Sequence, residues 1–497
     1  MKSFLSRPLP AISQRRWIYH LFSILLVLLG IRIAALAFNG TDLFFDEAQY
    51  WSWSEEPAFG YFSKPPMIAW MIRAATQTCG MSEFCIRLPS PLFYTMTAVF
   101  VFLIGWRLYD TRTGVISAIA FATLPGVSVS AGIISTDVPL LTFWAMALFA
   151  FNELFETKRW WPSVLLALAL GLGLNAKYAM AWFGLCAAIY LAMTPQRRWI
   201  LKDTRLWFAL ILGALMIVPN ILWNMENKFA TFSHTAANAK WGGDLFHPLK
   251  ALEFFGAQFG VFGPILFGAL LVISFRAVRQ RLPSPDRLLL AFSVPVVVMI
   301  LLQALISRAH ANWAAVAYVA ASVLVIATMI RDVAMPWLRA SLLVHVLLLV
   351  MVVAGTTMAG RYAAFGVDPF ARTLGWRQLA QATRAELDRA RTGKTPFSGV
   401  ITDDRQVTSE LLYYMRNEKT PLRAFKAGKR PHDHFELTRP FKGLSGDPVL
   451  LVSLIGKSSP VLGAFKSVKK IGERSLDAGP LKTRRVTFYA LSGYMGR

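Results

Sequence analysis

Charge is scarce in this chain. Only 16% of its 497 residues are charged, where a soluble globular protein carries about 25%. That shortfall, beside 55% hydrophobic residues, excludes one large water-soluble globule and equally a disordered chain. Acidic residues are the scarcer sign: 28 Asp+Glu face 52 Lys+Arg, a net charge of +24. So basic and so apolar a chain points to a membrane protein with basic loops, not to a nucleic-acid binder. Three cysteines are too few for a disulfide scaffold. A Walker loop, a dinucleotide glycine fingerprint and His/Cys metal-ligand spacing are missing too.

Long apolar runs are what the sequence has instead. They predict spans near 17–38, 90–108, 113–134, 138–155, 160–175, 178–194, 205–223, 255–275, 287–306, 313–330 and 338–358, most of them close to the roughly 20 residues that cross a bilayer. The short pair 160–175 and 178–194 is interrupted only by Asn175-Ala176-Lys177, so one long or two short helices fit the run itself. Loop charge decides. With the pair kept separate, 18 basic loop residues fall on one side and 8 on the other. Merging the pair would put the Arg197–Arg205 and Arg276–Arg287 clusters outside. Short basic loops stay in the cytoplasm, so the expectation is eleven spans with the N-terminus inside and the tail outside. Ala35-Leu36-Ala37 mimics a cleavage site, but the apolar stretch before it is long, and an uncleaved signal anchor is expected.

Two domains are expected, a transmembrane part over 1–358 and a basic tail over 359–497. The tail holds 25 Lys+Arg against 12 Asp+Glu. Its pattern predicts a helix at 372–392, a strand at 398–402, a helix at 404–416, a strand at 448–454 and a strand near 485–491, a small α/β domain. Its charge reads either as a solvated surface or as a docking face for anionic lipid or phosphorylated glycolipid at the outer leaflet. Two outer loops are long, 39–89 and 224–254.

Polar residues gather at the outer span ends. Asp46 and Glu47 follow the first span, Lys64 sits before Pro65-Pro66, and Asp137 stands between two apolar runs. Lys177 and Tyr178 occupy the break in the short pair, and Arg308, His310 and Asn312 precede another span. Each alone reads as a cap or an interfacial anchor. Two carboxylates and several cations at one depth read together as a site. Carboxylates activate a hydroxyl nucleophile, and cations hold a departing phosphate. Cys79 and Cys85 share the first outer loop, either as a disulfide or as two thiols. The cluster Trp51, Trp53, Phe59, Tyr61 and Phe62 reads as an interfacial belt or a surface that stacks on sugar.

Asp46-Glu47-Ala48-Gln49-Tyr50-Trp51, followed by Gly60-Tyr61, Lys64-Pro65-Pro66 and Arg87-Leu88-Pro89, resembles the first periplasmic loop of bacterial lipid-donor glycosyltransferases of the GT-C fold. The aminoarabinose transferase of lipid A and the protein O-mannosyltransferase relatives are the groups it is most similar to. Thr136-Asp137, Trp223-Asn224, Gln258 with Gly260 and Pro264, and His310-Ala311-Asn312-Trp313 stand where that family has polar markers. The resemblance implies a polytopic α-helical protein in the bacterial inner membrane, of about eleven spans, with a periplasmic α/β tail. It implies transfer of a sugar, galacturonic acid or another charged one, from a polyprenyl-phosphate donor to lipid A or core of lipopolysaccharide. Asp46 matches the catalytic carboxylate, Lys64 the lysine at the donor phosphate, and Asp137 a second acidic residue. Position adds Glu47 to the catalytic set, Lys177, Tyr178, Arg308 and His310 to the phosphate, and Tyr61, His234 and Asn312 to the substrate. Relatives differ on metal, so no cofactor is assigned. Membrane lipids are expected partners and nucleic acid is not.

Three other readings compete: protein O-glycosylation, a transporter or flippase, and a structural assembly factor that docks through the basic tail. A transporter places charges near mid-bilayer in broken helices, often with internal repeats. Here the polar set lies at one face and no repeat is found.

Overall fold

The structure is a computed structural model that describes residues 11–239, 245–280, 282–363, 366–428, 430–443 and 448–496. Of the basic loop residues that set the expected topology, Lys2, Arg7, Lys240 and Arg281 lie outside the described residues. The chain divides into two units. One takes the residues up to Leu36, Lys64–Ile68 and Arg87–Val353. The other takes Ala37–Ser63, Ala69–Ile86 and the chain from Ala354. Most of the first outer loop therefore groups with the tail, whereas the sequence reading attached it to the membrane part.

The first unit is helical. Among the described residues, length and apolarity single out six helices able to cross a membrane: Gln14–Ala37, Glu83–Leu108, Asp137–Glu156, Thr204–Glu226, Ser284–Ile306 and Met335–Thr357. A bent pair makes seven if counted as one span, against the eleven expected, and the shorter apolar helices Trp161–Ala176, Tyr178–Met193 and Ala317–Arg331 correspond to further expected spans. The expected span 255–275 is that bent pair, Pro248–Val261 and Pro264–Arg279, which meet at 116°. Gly263 lies between them with φ +87°, a conformation that favours glycine, and Pro264 starts the next helix where its missing N–H costs nothing. The apolar pattern runs through the break, so hydrophobicity could not reveal it. The expected span 113–134 also stops early. Helix Thr111–Thr123 ends before Pro125, and a short helix, Pro125–Ser130, follows. The run 160–194 does form two segments, parted at Lys177 with extended backbone.

Close helix approach explains part of the packing. A Cβ added at Gly105 would stand 2.7 Å from the Gly114 Cα, and one at Gly114 would stand 2.6 Å from the Phe102 carbonyl oxygen. Helices Pro89–Leu108 and Thr111–Thr123 can touch only because both positions are glycine. The Thr97 and Thr142 hydroxyls, 2.8 Å apart, satisfy each other in the interior.

The second unit contains a five-stranded sheet. Its strands are β1 (Val400–Thr402), β2 (Leu422–Ala424), β3 (Val449–Ser453), β4 (Phe465–Asp477) and β5 (Thr483–Tyr494), in the order β2-β1-β3-β5-β4. β1 pairs parallel with β2 and β3, and β5 pairs antiparallel with β3 and β4. Side-chain alternation builds two cores. Val400, Leu450, Val452 and Phe488 meet Trp376, Leu379, Val407 and Leu411 of helices Trp376–Thr392 and Arg405–Tyr414. Ile401, Leu451, Tyr489 and Leu491 pack on Phe425, Phe441, Val461 and Phe465. The expected α/β tail is present, with β2 and β4 added. β4 is an edge strand carrying Lys466, Lys469 and Lys470. Edge strands use such charge to block further pairing, and that charge hides them from an apolar pattern.

Within this unit the outer loop is bonded to the tail. Asp42 Oδ2 accepts the Trp376 and Arg377 N–H groups at 2.9 and 3.2 Å, which caps the helix they begin. Tyr414 donates to Glu83 at 2.6 Å and accepts from the Leu43 N–H at 2.9 Å. The Cys79–Cys85 disulfide closes the turn between them.

Candidate active site

In the first unit, a cluster forms at the start of helix Asp137–Glu156. Asp137 Oδ1 accepts from Lys177 Nζ at 2.7 Å, and its Oδ2 accepts from Asn312 Nδ2 at 2.6 Å. The three come from distant stretches of sequence. The break at Lys177 turns its side chain out of the helical run, and Asn312 follows the end of helix Val294–Ile306. Asp137 stands in the first turn, where the helix dipole favours a carboxylate. Asp137 and Asn312 also line a cavity of about 500 Å³ whose other walls are mostly apolar, among them Phe121, Leu141, Val261, Leu348 and Val352.

Tyr178 lies next to Lys177 in sequence but makes different bonds. Its hydroxyl donates to Asn220 Oδ1 at 2.7 Å and accepts from Asn224 Nδ2 at 3.4 Å. Its ring stacks on Phe232 at 4.9 Å. His234 stands half-buried on helix Ala230–Ala239. His310 begins the turn Ala311–Ala314, with its ring edge-on to Trp313 at 5.3 Å. Arg308 and Lys64 are half-buried in the same unit. Lys64, Lys177, Tyr178, Arg308 and His310, the residues expected at the phosphate, all belong to this unit, and Lys177 is bonded to Asp137 together with Asn312, a residue expected on substrate.

The second unit holds Asp46, Glu47 and Tyr61, and they differ. Asp46 keeps a partly exposed carboxylate, bonded through Oδ1 to Arg405 Nη1 at 2.9 Å; the same nitrogen donates to Gln49 Oε1 at 2.8 Å. Glu47 is 1% exposed, and its Oε2 accepts the Phe44 N–H at 2.9 Å. That bond closes the start of helix Phe45–Glu55. Tyr61, expected on substrate, is 2% exposed. It stacks on Trp53 at 4.7 Å, donates to the Trp53 carbonyl at 2.9 Å and accepts the Ala58 N–H at 3.0 Å. Burial pushes its phenol up to about 12, so it stays a neutral tie for the loop. Trp51 and Trp53 are buried as well, which leaves Phe59 the most exposed of that aromatic group.

Sequence reasoning missed Arg405, because nothing in the tail marks one arginine among many. Asp404 gave the one usable signal: its side chain caps the Gln406 and Val407 N–H groups, and that places Arg405 at the head of its helix. Glu410 was missed as well. It is fully buried, with neither carboxylate oxygen hydrogen-bonded among the described residues. Burial, with Asp42 and Glu47 nearby, holds its carboxyl well above the usual carboxylate range.

Residues 63–223 match the family of dolichyl-phosphate-mannose-protein mannosyltransferases. Over 422 residues the chain is 33% identical to the lipid A galacturonosyltransferase RgtD of Rhizobium johnstonii, covering 83% of this chain and 86% of that protein. The chain belongs to this GT-C glycosyltransferase family. It is also 28% identical over 241 residues to the lipopolysaccharide core galacturonosyltransferase RgtA of the same organism, covering 48% of this chain and 47% of that protein. The fold resembles that of ArnT from Cupriavidus metallidurans bound to undecaprenyl phosphate, with TM-score 0.67 at 16% identity over 95% of this chain and 98% of that one. The polytopic helical fold with a small C-terminal sheet is therefore that of a membrane glycosyltransferase, as the first outer loop implied.

Proposed function

We propose that this enzyme moves galacturonic acid from a polyprenyl-phosphate donor to lipid A, or to the core of lipopolysaccharide, at the periplasmic face of the inner membrane. The observation that carries the reading is the 33% identity to a lipid A galacturonosyltransferase over 83% of this chain. In this reading the N-terminus is cytoplasmic and both the first outer loop and the tail are periplasmic, in line with the basic-loop asymmetry.

The chemistry is a displacement at the sugar's anomeric carbon. The acceptor hydroxyl oxygen forms the new bond, the bond from the anomeric carbon to the phosphate oxygen breaks, and polyprenyl phosphate leaves. Asp46 takes the acceptor proton; its partly exposed carboxylate, oriented by Arg405, supports that role. Lys64, Arg308 and His310 meet the charge that grows on the departing phosphate. Lys177, held in place by its bond to Asp137, is assigned to the same phosphate. The mostly apolar cavity beside Asp137 suits part of an isoprenoid chain. Glu47 and Tyr61 are assigned to holding the loop. A second reading, protein O-glycosylation, draws on the match over residues 63–223.

Cells whose only copy carries Asp46→Ala or Lys64→Ala should lack the sugar on lipid A and core, as read by mass spectrometry. Normal glycolipid in either strain would defeat the assignment.

A further inference from the structure

The stretch just before Asp46 carries two aromatic rings and two cations. The Phe44 and Phe45 centroids lie 4.1 Å apart. The Arg372 guanidinium carbon lies 4.8 Å from the Phe44 centroid and 5.6 Å from that of Phe45, and the Arg405 carbon lies 4.8 Å from Phe45. All four residues belong to the second unit.

These guanidinium groups have donors to spare. Arg405 bonds Asp46 and Gln49 through Nη1 alone. Its Nε and Nη2, and the whole exposed guanidinium of Arg372, make no hydrogen bond or ion pair among the described residues. Other carboxylates near Arg405 are already engaged. Asp404 caps its own helix, and Asp433 accepts the Phe435 and Glu436 N–H groups. An arginine resting on a ring is held in place, so a further bond costs little extra ordering. Planar forks with free donors match the in-plane oxygens of a carboxylate or phosphate.

We propose that Arg372 and Arg405, seated on Phe44 and Phe45, bind an oxyanion of the substrate beside Asp46 and set the preference of the enzyme for charged substrate. The oxyanion is the carboxylate of the transferred sugar or a phosphate of the acceptor. The inference rests on the function proposed above and names the part of that substrate the second unit recognises. A packing role alone would leave substrate preference untouched.

The test uses the full chain purified in detergent, as wild type, Arg372→Gln, Arg372→Lys and Arg405→Gln. One arm compares a uronic-acid donor with its neutral hexose counterpart on one acceptor. The other compares a phosphorylated lipid acceptor with its dephosphorylated form, using one donor. Each arm reads the ratio of kcat/KM values. Arg372→Gln should lower that ratio about tenfold or more in one arm, chiefly through KM, as expected for a lost charge-assisted bond. Arg372→Lys should recover part of it. Thermal unfolding midpoints check that the variants fold, and Lys469→Gln on the edge strand should leave the ratio unchanged. A fall in the first arm assigns the sugar carboxylate, and a fall in the second assigns the acceptor phosphate. Active wild type with unchanged ratios in every variant overturns the inference alone. A wild type that transfers nothing to lipid overturns the proposed function and the inference with it.

Discussion

Removing the Asp137 carboxylate is the perturbation whose cost the structure defines best. Lys177 Nζ lies 2.7 Å from Asp137 Oδ1, with side-chain exposures of 19% and 9%. At an effective dielectric constant near 20 that contact carries about 6 kcal/mol of attraction before desolvation. Desolvation of both ions cancels much of it, but stranding one charge costs about 3–5 kcal/mol. Asp137→Ala also strands the Asn312 amide, so about 4 kcal/mol is expected, against about 3 for Lys177→Met. The double variant should cost about 4, not the sum of about 7, which leaves a coupling near 3 kcal/mol. Reversible SDS unfolding in mixed micelles, followed by tryptophan fluorescence, measures all four corners of the cycle. A coupling below about 0.5 kcal/mol would mean that the pair is not formed, and the charge cluster would lose its basis.

Three further outcomes follow from other parts of the structure. His434 is buried, edge-on to Trp53 and Tyr61. Burial, then the Arg439 charge, lowers its pKa to about 3. Between that value and the unfolded value near 6.5 the unfolded chain binds the extra proton, so stability is whole above pH 6.5 and falls as pH drops towards 3, by up to about 1.4 kcal/mol per unit; His434→Phe should flatten that slope in pH-dependent melts, and an equal slope would exclude His434 as its source. Replacing Cys79 and Cys85 by serine opens a closure of 6 residues in sequence separation and should cost about 2 kcal/mol, read as a lower melting point than in the wild type without reductant. Gly114→Val puts side-chain atoms against the Phe102 carbonyl and should cost about 3 kcal/mol or block folding, seen as loss of the monodisperse peak in detergent.

Much of the fold was legible because bilayer physics writes it in long apolar runs. The break at Lys177 showed through its polar side chain. The bend at Gly263 did not, since glycine and proline interrupt no hydrophobic count. In the tail, β1 and β3 are buried and apolar and were found, while β4, an edge strand of lysines, was not. Candidate residues were legible where a short motif carries them, as with Asp46 and Lys64. Residues that meet only through the fold were harder. Asp137, Lys177 and Asn312 could be suspected from depth, but their bonding could not. Glu47 and Tyr61 share the motif, but their burial and their bonds to the Phe44, Trp53 and Ala58 backbone could not be read from it. Arg405, 359 residues from Asp46, gave no sign of its partner.

The central claim is that a uronic acid passes from a polyprenyl-phosphate carrier to lipid A or core. The direct measurement supplies purified enzyme with polyprenyl-phosphate galacturonic acid and offers lipid A, core oligosaccharide and a Ser/Thr-rich peptide in parallel, each read by mass spectrometry. The account predicts a gain of one uronic acid on lipid A or core, abolished by Asp46→Ala, and none on the peptide. Transfer to the peptide with none to either glycolipid would contradict it.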